Sequence, residues 1–252
     1  MTAPPAIQTR SLVKRFGKTV ALDRLDLTVE AGLLYGLLGP NGAGKSTTVS
    51  LVTGTMRPTT GEIFLEGRPL DPDDPSFKQR IGVVSEEPPL FERLRGAEML
   101  VFTGRMFGLD PDPSVTRAAQ LLDLLGLTAQ GQGLVADYSR GMRKKLAIAC
   151  ALIHAPRLLF FDEPFEGVDA LSADTIRRVL TGLTARGATV LLTTHILEVA
   201  ERICDRVGII HRGNLVREVS REELDAAPGS LADLFRRVVG GDEPPPTLPE
   251  WL

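Results

Sequence analysis

The chain has 252 residues, of which 43% are hydrophobic and 24% are charged, and its formal net charge is -3 at pH 7. This length is enough for one large domain with a sizeable hydrophobic core. The slightly acidic balance argues against a general polyanion binder, although it does not exclude a local basic patch.

The cysteines and the apolar runs indicate the compartment of the protein and its relation to the membrane. Cys150 and Cys204 are the only cysteines and lie in apolar-periodic stretches, so we expect core residues in a reduced compartment rather than a disulfide. No arginine-led apolar run opens the chain, which argues against a secretory signal. Apolar runs such as residues 146–153 are far shorter than the ~20 residues of a membrane span. We therefore expect a soluble protein that would act at a membrane only through a partner.

Three extended segments open the predicted structure. Residues 7–16 and 20–29 fit an antiparallel hairpin, in which Leu22 is out of phase with the other apolar residues of its strand. From spacing alone, Phe16 at the end of the first strand is expected to be a core or edge aromatic rather than a ring that stacks on a base. A continuous apolar run over residues 33–38 predicts a buried strand.

The stretch that follows this strand, residues 39–47, fits the phosphate-binding pattern G-x-x-x-x-G-K-[ST]. Gly42 and Gly44 permit backbone angles at which successive N–H groups point inward as an anion nest. Lys45 supplies a positive charge for the β- and γ-phosphates, and Ser46 a hydroxyl for Mg²⁺. The helix expected to start near Gly44 adds the positive end of its dipole. The predicted nucleotide-binding residues of this loop are Gly39, Pro40, Asn41, Gly42, Ala43, Gly44, Lys45, Ser46 and Thr47. The strand before the loop and the helical pattern after it favour a nucleoside triphosphate site over a chance glycine-rich turn.

The middle of the chain is predicted to be mainly helical. The predicted elements are strands at 63–65 and 81–85, helices at 96–107 and 115–125, and turns at 67–70 and 108–113. No strand pattern occurs from residue 90 to about residue 155. We therefore expect an all-helical subdomain, at about 88–155, inserted into an α/β core.

The second half of the chain alternates strands and helices. Ser139 fits the N-cap of a helix that reaches Ile153. Its first turns are basic, which is typical of a solvated face, and carry Arg140, Arg143, Lys144 and Lys145. The later predicted elements are strands at 157–161, 188–193 and 207–211 and helices at 171–184 and 196–204. Such alternation implies right-handed crossovers and a parallel sheet, with ligands at the carboxyl ends of its strands.

Two acidic residues end the strand at 157–161. Asp162 follows four large apolar residues, so the strand brings its carboxylate to the edge of the core, where it can hold Mg²⁺ directly or through water. Glu163 points to the other side of the strand and is placed to orient or deprotonate a water attacking the γ-phosphate. An ordinary acidic turn before Pro164 is the alternative, which the upstream phosphate loop disfavours. His195 falls at the carboxyl end of another strand.

The end of the chain is predicted to pack back on the core. Residues 221–241 carry two short helical patterns, the second with one apolar face. The proline-rich stretch at 241–252 favours an extended, disordered tail. Residues 1–240 are predicted to form a single domain.

The order and spacing of these motifs resemble the ATP-binding cassette (ABC) ATPases, the nucleotide-binding subunits of ABC transporters, from about residue 7 to residue 240. The matching segments are the phosphate loop, Phe-Phe-Asp-Glu-Pro at 160–164, Tyr-Ser-Arg-Gly-Met at 138–142 in place of the family signature, Gly-Val-Asp at 167–169 as the D-loop, and Thr-Thr-His at 193–195 with the switch histidine. The resemblance implies an α/β fold of the P-loop NTPase, ABC ATPase type. This fold has a mixed sheet core, an antiparallel β subdomain and an inserted α-helical subdomain. The signature is most similar to that of bacterial ABC-2 type exporter ATPases, whose membrane subunit is a separate chain.

The resemblance also implies roles for individual residues. Two cassettes would sandwich two ATP molecules, each between one chain's phosphate loop and the other chain's signature. The implied roles are catalysis by Glu163, His195 and Lys45; metal binding by Ser46 and Asp162; nucleotide contact by Val20 and by Phe16, which matches the adenine-stacking aromatic; action in trans by Ser139, Arg140, Gly141 and Met142; and coupling of the two sites by Asp169. The implied ligands are ATP and Mg²⁺.

Three positions depart from the family pattern. Met142 stands where the signature has glutamine, and Arg140 replaces its first glycine, whereas Ser139 and Gly141 are retained. Glu86 replaces the glutamine of the Q-loop. A carboxylate ~4 Å from a phosphate oxygen would be repelled by about 4 kcal/mol at intermediate dielectric, and Mg²⁺ between the two would reverse the sign. We therefore predict that Glu86 binds the metal.

The resemblance implies an ATP-hydrolysing subunit of an exporter, held at the cytoplasmic face of the cell membrane by an integral membrane permease. A second cassette, in a homodimer, is the other implied partner, and no nucleic acid partner is expected. Helices at 96–125, with the segment after Glu86, would form the groove for the permease. The alternatives are a soluble ABC ATPase of cluster assembly, DNA maintenance or translation, and an ATP-binding regulator without turnover. The absence of a long coiled-coil insertion disfavours the DNA and translation roles. The residues that together argue against an inactive site are Lys45, Asp162, Glu163 and His195.

Overall fold

A computed structural model describes residues 4–226 and 229–240 of the chain, so the predicted tail at 241–252 lies outside the described residues. The strands are β1 (Ile7–Phe16), β2 (Thr19–Val29), β3 (Leu34–Leu38), β4 (Thr60–Leu65), β5 (Arg68–Pro69), β6 (Ile81–Val84), β7 (Leu158–Asp162), β8 (Thr189–Thr194), β9 (Arg206–His211) and β10 (Asn214–Ser220). The helices are α1 (Lys45–Val52), α2 (Pro75–Lys78), α3 (Gly96–Met106), α4 (Pro111–Leu124), α5 (Arg140–Leu152), α6 (Ala170–Thr184), α7 (Leu197–Ile203), α8 (Arg221–Ala226) and α9 (Leu231–Val239).

Two sheets organise the fold. The larger has the order β10-β9-β3-β8-β7-β6. Its strands from β9 to β6 pair in parallel, and β10 pairs antiparallel to β9 at the edge. The smaller sheet is antiparallel, with the order β2-β1-β4-β5. The mixed sheet and the separate antiparallel sheet confirm the predicted fold class.

The parallel strands are buried on both faces because each face packs on a different hydrophobic core. Along β3, Leu34 and Leu38 enter the core formed with the helices, whereas Tyr35 and Leu37 enter the core shared with the antiparallel sheet. A strand's side chains alternate between faces, so one continuous apolar run supplies both cores. The same alternation in β7 places Phe160 in the second core and directs Asp162 toward the same side, where α1 begins.

A backbone irregularity explains why Leu22 is buried although it is out of phase with the other apolar residues of its strand. Both Leu22 and Leu25 are fully buried in the same core, although an odd spacing would put them on opposite faces of a regular strand. Arg24 between them has a φ of 55°, and the pairing of β1 with β2 shifts register in this part of the hairpin. The extra residue of such a bulge turns the strand and brings both leucines to the core.

Most predicted elements are confirmed, but some boundaries were wrong and some elements were missed. Strand β4 begins at Thr60 and not at 63. Helix α4 begins at Pro111 and not at 115, because proline is tolerated in the first turn of a helix. The expected turn at 67–70 contains the two-residue strand β5. The short helix α2 and the edge strand β10 were not predicted. Strand β10 has one buried residue, Val219, and no long apolar run, so its pairing with β9 defines it.

Between β6 and β7 the described residues form helices and one isolated bridge, which pairs Arg95 with Leu134. This agrees with the expected lack of strands there, while the boundaries of the subdomain and of the whole domain stay predictions.

Helix α9 packs back on the helical core, as its apolar face predicted. Leu231 at its start is buried, and Leu234 and Phe235 pack against the same core. Both cysteines are free thiols, and burial raises the pKa of Cys150 to about 11. Among the described residues, no helix is long and apolar enough to span a bilayer.

Candidate functional site

The phosphate-binding loop connects β3 to α1 and has the backbone that its glycines predict. Gly42 and Gly44 have φ values of 78° and 112°, which a residue with a Cβ rarely adopts. A Cβ on Gly44 would also lie 2.9 Å from the carbonyl oxygen of Ala21. Because Gly44 has no side chain to cap α1, the N–H groups of the first turn stay available to an anion.

Lys45 is held in a buried position at the start of α1. Its Nζ donates to the carbonyl oxygen of Gly39 at 2.8 Å and lies 3.4 Å from Glu163 Oε1. Both side chains of this ion pair are buried. The lysine is therefore directed along the inside of the loop toward the end of β7.

Asp162 joins the end of β7 to the start of α1. The parallel register pairs Asp162 with Thr193 of β8, and the Thr193 hydroxyl donates to Asp162 Oδ1 at 2.5 Å. Ser46 Oγ donates to the same oxygen at 3.2 Å. A carboxylate and a hydroxyl side by side are oxygen ligands of the kind that Mg²⁺ prefers, so this pair of residues fits a magnesium site.

Glu163 is fixed between a lysine and a histidine. It has a φ of 47°, and its N–H donates to Thr193 Oγ1 at 3.1 Å. While Oε1 faces Lys45, Oε2 accepts from the backbone N–H of His195 at 3.3 Å and lies 3.0 Å from His195 Nδ1. The carboxylate is an acceptor, so His195 Nδ1 carries the proton in this contact. One buried carboxylate thus connects the phosphate loop to the end of β8.

These side chains surround a cavity of about 550 Å³. Its lining residues are Thr19, Val20, Ala21, Asn41, Gly42, Gly44, Lys45, Ser46, Thr47, Glu86, Glu163, Glu166 and His195. The cavity therefore brings together predicted residues from five separate parts of the chain. Predicted site residues outside the lining are Phe16, Gly39, Pro40, Ala43, Asp162, Ser139, Arg140, Gly141, Met142 and Asp169.

Phe16 lies beside this cavity. It pairs with Thr19 across the hairpin turn, and Thr19 and Val20 line the cavity wall. The ring is 47% exposed and has the ammonium of Lys14 at 5.1 Å from its centroid. Because so large an apolar surface gains by being covered, the exposed ring is compatible with stacking on a base. Spacing alone predicts a core or edge aromatic, and the exposure of Phe16 at the end of β1 excludes the core position but not the edge.

Glu86 lies on the cavity rim next to other carboxylates. Partial burial raises its pKa, and the neighbouring Glu166 raises it further. Lys144 of α5 donates from Nζ to the carbonyl oxygen of Glu86 at 2.7 Å, and burial lowers the pKa of this lysine. Lys144 is thus buried, so the expected solvated face is wrong at this residue. Within the described part of the chain, no group of three or more His, Cys, Asp or Glu side chains is arranged to hold a metal ion.

The signature and the D-loop meet outside the cavity. Ser139 caps α5 by accepting from the N–H of Met142 at 3.3 Å, as predicted. Asp169 caps α6 through the N–H of Ser172 at 2.9 Å, a bond that lowers its pKa. A Cβ on Gly141 would lie 3.0 Å from Asp169 Oδ2. The first turns of α5 and α6 are therefore in contact.

Sequence reasoning missed Thr19, Ala21 and Glu166 of the cavity lining, and it assigned no role to Thr193. Thr193 orients Asp162 and Glu163 at once, and its polar side chain at the end of a buried strand was the available signal. Glu166, in the segment that follows β7, also lines the cavity. A third acidic residue so soon after Asp162 could have indicated it.

The chain matches the family model described as ABC transporter over residues 22–166. A model described as AAA domain, putative AbiEii toxin, Type IV TA system, also matches residues 134–201. The daunorubicin/doxorubicin resistance ATP-binding protein DrrA of Streptomyces peucetius is 40% identical over 225 residues, which cover 89% of this chain and 68% of that protein. The linearmycin resistance ATP-binding protein LnrL of Bacillus subtilis is 36% identical, with 94% of this chain and 72% of that protein covered.

A solved structure described as an ATP binding subunit of an ABC transporter superposes with a TM-score of 0.84 at 30% identity, covering 92% of this chain and 99% of the other. A dimeric ATP-binding cassette in a post-hydrolysis state, bound to ADP and Pi, gives a TM-score of 0.78 at 24% identity, covering 85% of this chain and 98% of the other. The second likeness is one of fold.

Proposed function

This chain belongs to the ABC transporter family of ATPases, and we propose that it is the ATP-hydrolysing subunit of an exporter whose membrane-spanning part is a separate chain. The observation that carries the proposal is the buried Glu163 carboxylate, held between Lys45 and His195 at the phosphate loop. An acceptor in this position is what the removal of a proton from water next to a γ-phosphate requires.

The loop and α1 are suited to bind the triphosphate. The backbone N–H groups around Gly42 and Gly44 would surround the phosphates, and Lys45 would turn from Glu163 toward them. Ser46 and Asp162 would hold Mg²⁺, with Glu86 as a third oxygen donor from the cavity rim. The ion would supply positive charge that offsets the charge of the phosphate oxygens.

Glu163 would act on the attacking water. When Lys45 contacts phosphate, Oε1 becomes free to accept the proton of a water molecule, while Oε2 stays fixed by His195. His195, exposed on the other side, would contact the γ-phosphate. Fixing one oxygen of the carboxylate leaves the other in one orientation, which is how positioning contributes to rate.

A second copy of the chain would complete each site. The signature residues and Asp169 lie outside the cavity of their own chain. The start of α5 offers the Ser139 hydroxyl and free N–H groups, which suit an anion. We propose that this surface covers the γ-phosphate held by the partner and that Asp169 connects the two sites.

A groove beside the edge strand β6 would receive the permease. It has a volume of about 590 Å³ and is lined by β6, the segment after Glu86, α3 and α5. Next to it Phe91 and Phe102 form an exposed edge-to-face pair with centroids 5.4 Å apart. An exposed apolar surface of this kind marks an interaction site, and a cytoplasmic segment of the permease is the proposed occupant. This contact would hold the chain at the cytoplasmic face of the membrane.

Relatives support export over the non-transport alternatives. The names of two relatives refer to drug resistance, and another, 35% identical, is a bacitracin transport ATP-binding protein of Bacillus licheniformis. These names describe those proteins.

The test is reconstitution with a membrane partner. The chain would be co-expressed with a neighbouring reading frame that encodes about six apolar spans, purified with it, and assayed for ATP hydrolysis in liposomes. We expect a stable complex whose hydrolysis exceeds that of the isolated chain. Hydrolysis without association with any membrane chain would favour a non-transport ATPase, and ATP binding without hydrolysis would favour a regulator.

A further inference from the structure

An ion pair connects the start of α5 to the segment that follows β7. Arg140 Nη2 lies 3.6 Å from Glu166 Oε1, and the two side chains are 62% and 34% exposed. A Cβ on the next residue, Gly167, would lie 2.5 Å from the Arg140 guanidinium. Gly167 has a φ of 64°, so both its backbone shape and the close approach of Arg140 favour glycine.

The two ends of this pair belong to different sites. Glu166 lines the nucleotide cavity of its own chain together with Glu86. Arg140 stands in the first turn of α5, which under the proposed function serves the cavity of the partner. Lys144, one turn further along α5, also contacts the cavity rim by donating to Glu86 at 2.7 Å.

We propose that Arg140 and Glu166 form a positioning pair, through which a nucleotide in the chain's own cavity orders the first turn of α5. This inference rests on the proposed function, because it requires that the cavity binds a nucleoside triphosphate. The signature presented to the partner would then depend on the occupancy of the chain's own site.

The physical basis is repulsion between like charges at the cavity wall. A triphosphate brings negative charge toward Glu166, whose neighbour Glu86 is also a carboxylate. Glu166 is partly exposed and can move, and Arg140 is the cation with which it is already paired, whereas Lys144 donates to the carbonyl oxygen of Glu86. The single long contact between Arg140 and Glu166 then shortens, and the Arg140 guanidinium becomes fixed over Gly167.

The test is hydrogen–deuterium exchange of residues 138–146, with and without a non-hydrolysable ATP analogue and Mg²⁺, at a concentration where the chain is monomeric. An exposed ion pair contributes only a small amount of stability. We therefore expect the nucleotide to slow exchange in the first turn of α5 about two- to fivefold. The slowing disappears in Arg140→Gln and in Glu166→Gln, and the double variant loses nothing more. Arg140→Lys restores part of it.

A matched control is available on the same helix. Arg143 pairs with Glu92 at 2.6 Å, and neither residue lines the cavity. Arg143→Gln should keep the response to nucleotide, and melting temperatures of all variants should stay close to that of the unchanged chain.

Two results would overturn the inference while leaving the proposed function intact. One is nucleotide binding with unchanged exchange over residues 138–146, and the other is an equal loss of response in Arg143→Gln and Arg140→Gln. A chain that binds no nucleotide would instead overturn the proposed function, and this inference with it.

Discussion

Lys45 Nζ lies 3.4 Å from Glu163 Oε1, and both side chains are more than nine-tenths buried. The residue proposed to bind phosphate is therefore paired with the residue proposed to deprotonate water. We expect a bound triphosphate to compete with Glu163 for this ammonium group. Phosphate binding would then weaken the contact between Lys45 and the proposed general base.

Glu163→Gln should abolish hydrolysis while strengthening ATP binding. The amide cannot accept the proton of water, so the rate should fall by at least about 100-fold. It also competes less for Lys45, so the Kd for ATP should fall several-fold. Steady-state hydrolysis and binding of a fluorescent ATP analogue measure the two effects, with the exposed Glu62→Gln as the control. Near-normal turnover would remove Glu163 from its proposed role.

Lys45→Met should destabilise the protein through Glu163. Removing one partner of a buried ion pair leaves the other charge without compensation, which lowers the free energy of unfolding by about 3 kcal/mol. Adding Glu163→Gln should recover much of this loss, since the remaining charge is gone. Denaturant unfolding at pH 7 without nucleotide gives the values. Simple addition of the two single effects would show that the pair is not coupled.

Glu86→Gln should raise the Mg²⁺ concentration that half-saturates hydrolysis, because one of the proposed oxygen donors loses its charge. The measurement is a Mg²⁺ titration at constant ATP. Glu87→Gln is the matched control, since Glu87 is also exposed and adjacent but does not line the cavity. Identical titrations for Glu86→Gln and the unchanged chain would count against a metal role for Glu86.

Phe102→Asp should prevent association with the permease. A charge placed in the apolar pair with Phe91 would have to be buried without a partner when the groove is covered, which is unfavourable. Co-purification with the membrane chain is the readout, and the melting temperature checks that the variant folds. Leu124→Asp on α4 is the control, because Leu124 is 55% exposed and Phe102 is 42% exposed. Loss of association in both variants would argue against the groove.

His154 should make the protein less stable at mildly acidic pH. It stacks on Phe107 with centroids 3.8 Å apart, and its Nε2 lies 2.9 Å from the carbonyl oxygen of Ile81. Burial lowers its pKa, so the unfolded chain binds a proton more readily than the folded one. The contribution of His154 to the free energy of unfolding is therefore fully present above the pKa of histidine in the unfolded chain, about 6.5. This contribution falls as the pH drops below that value.

The variant His154→Phe keeps an aromatic ring against Phe107 and removes the titrating group. Unfolding free energies between pH 7.5 and pH 5.5 should fall less in this variant than in the unchanged chain. Parallel pH profiles would exclude His154 as a source of the acid sensitivity.

The sequence by itself determined where the strands and helices lie and which functional residues stand at their ends. The phosphate loop, the apolar strands and the capped helix at Ser139 depend on backbone angles, side-chain alternation and local hydrogen bonds, which act over a few residues. Because parallel strands bring their carboxyl ends to one edge, the sequence also predicted that the phosphate loop, Glu163 and His195 lie at the edge of the sheet where ligands bind.

Only the tertiary structure decided the partners of these residues. Thr193 bonds Asp162 and the N–H of Glu163 because the register of β7 with β8 sets them side by side. The bulge near Arg24 brought Leu22 into the core, and the fold buried Lys144 at the cavity rim. Such contacts join residues far apart in the chain, and register, bulges and packing fix them jointly, so no periodicity in the sequence reveals them.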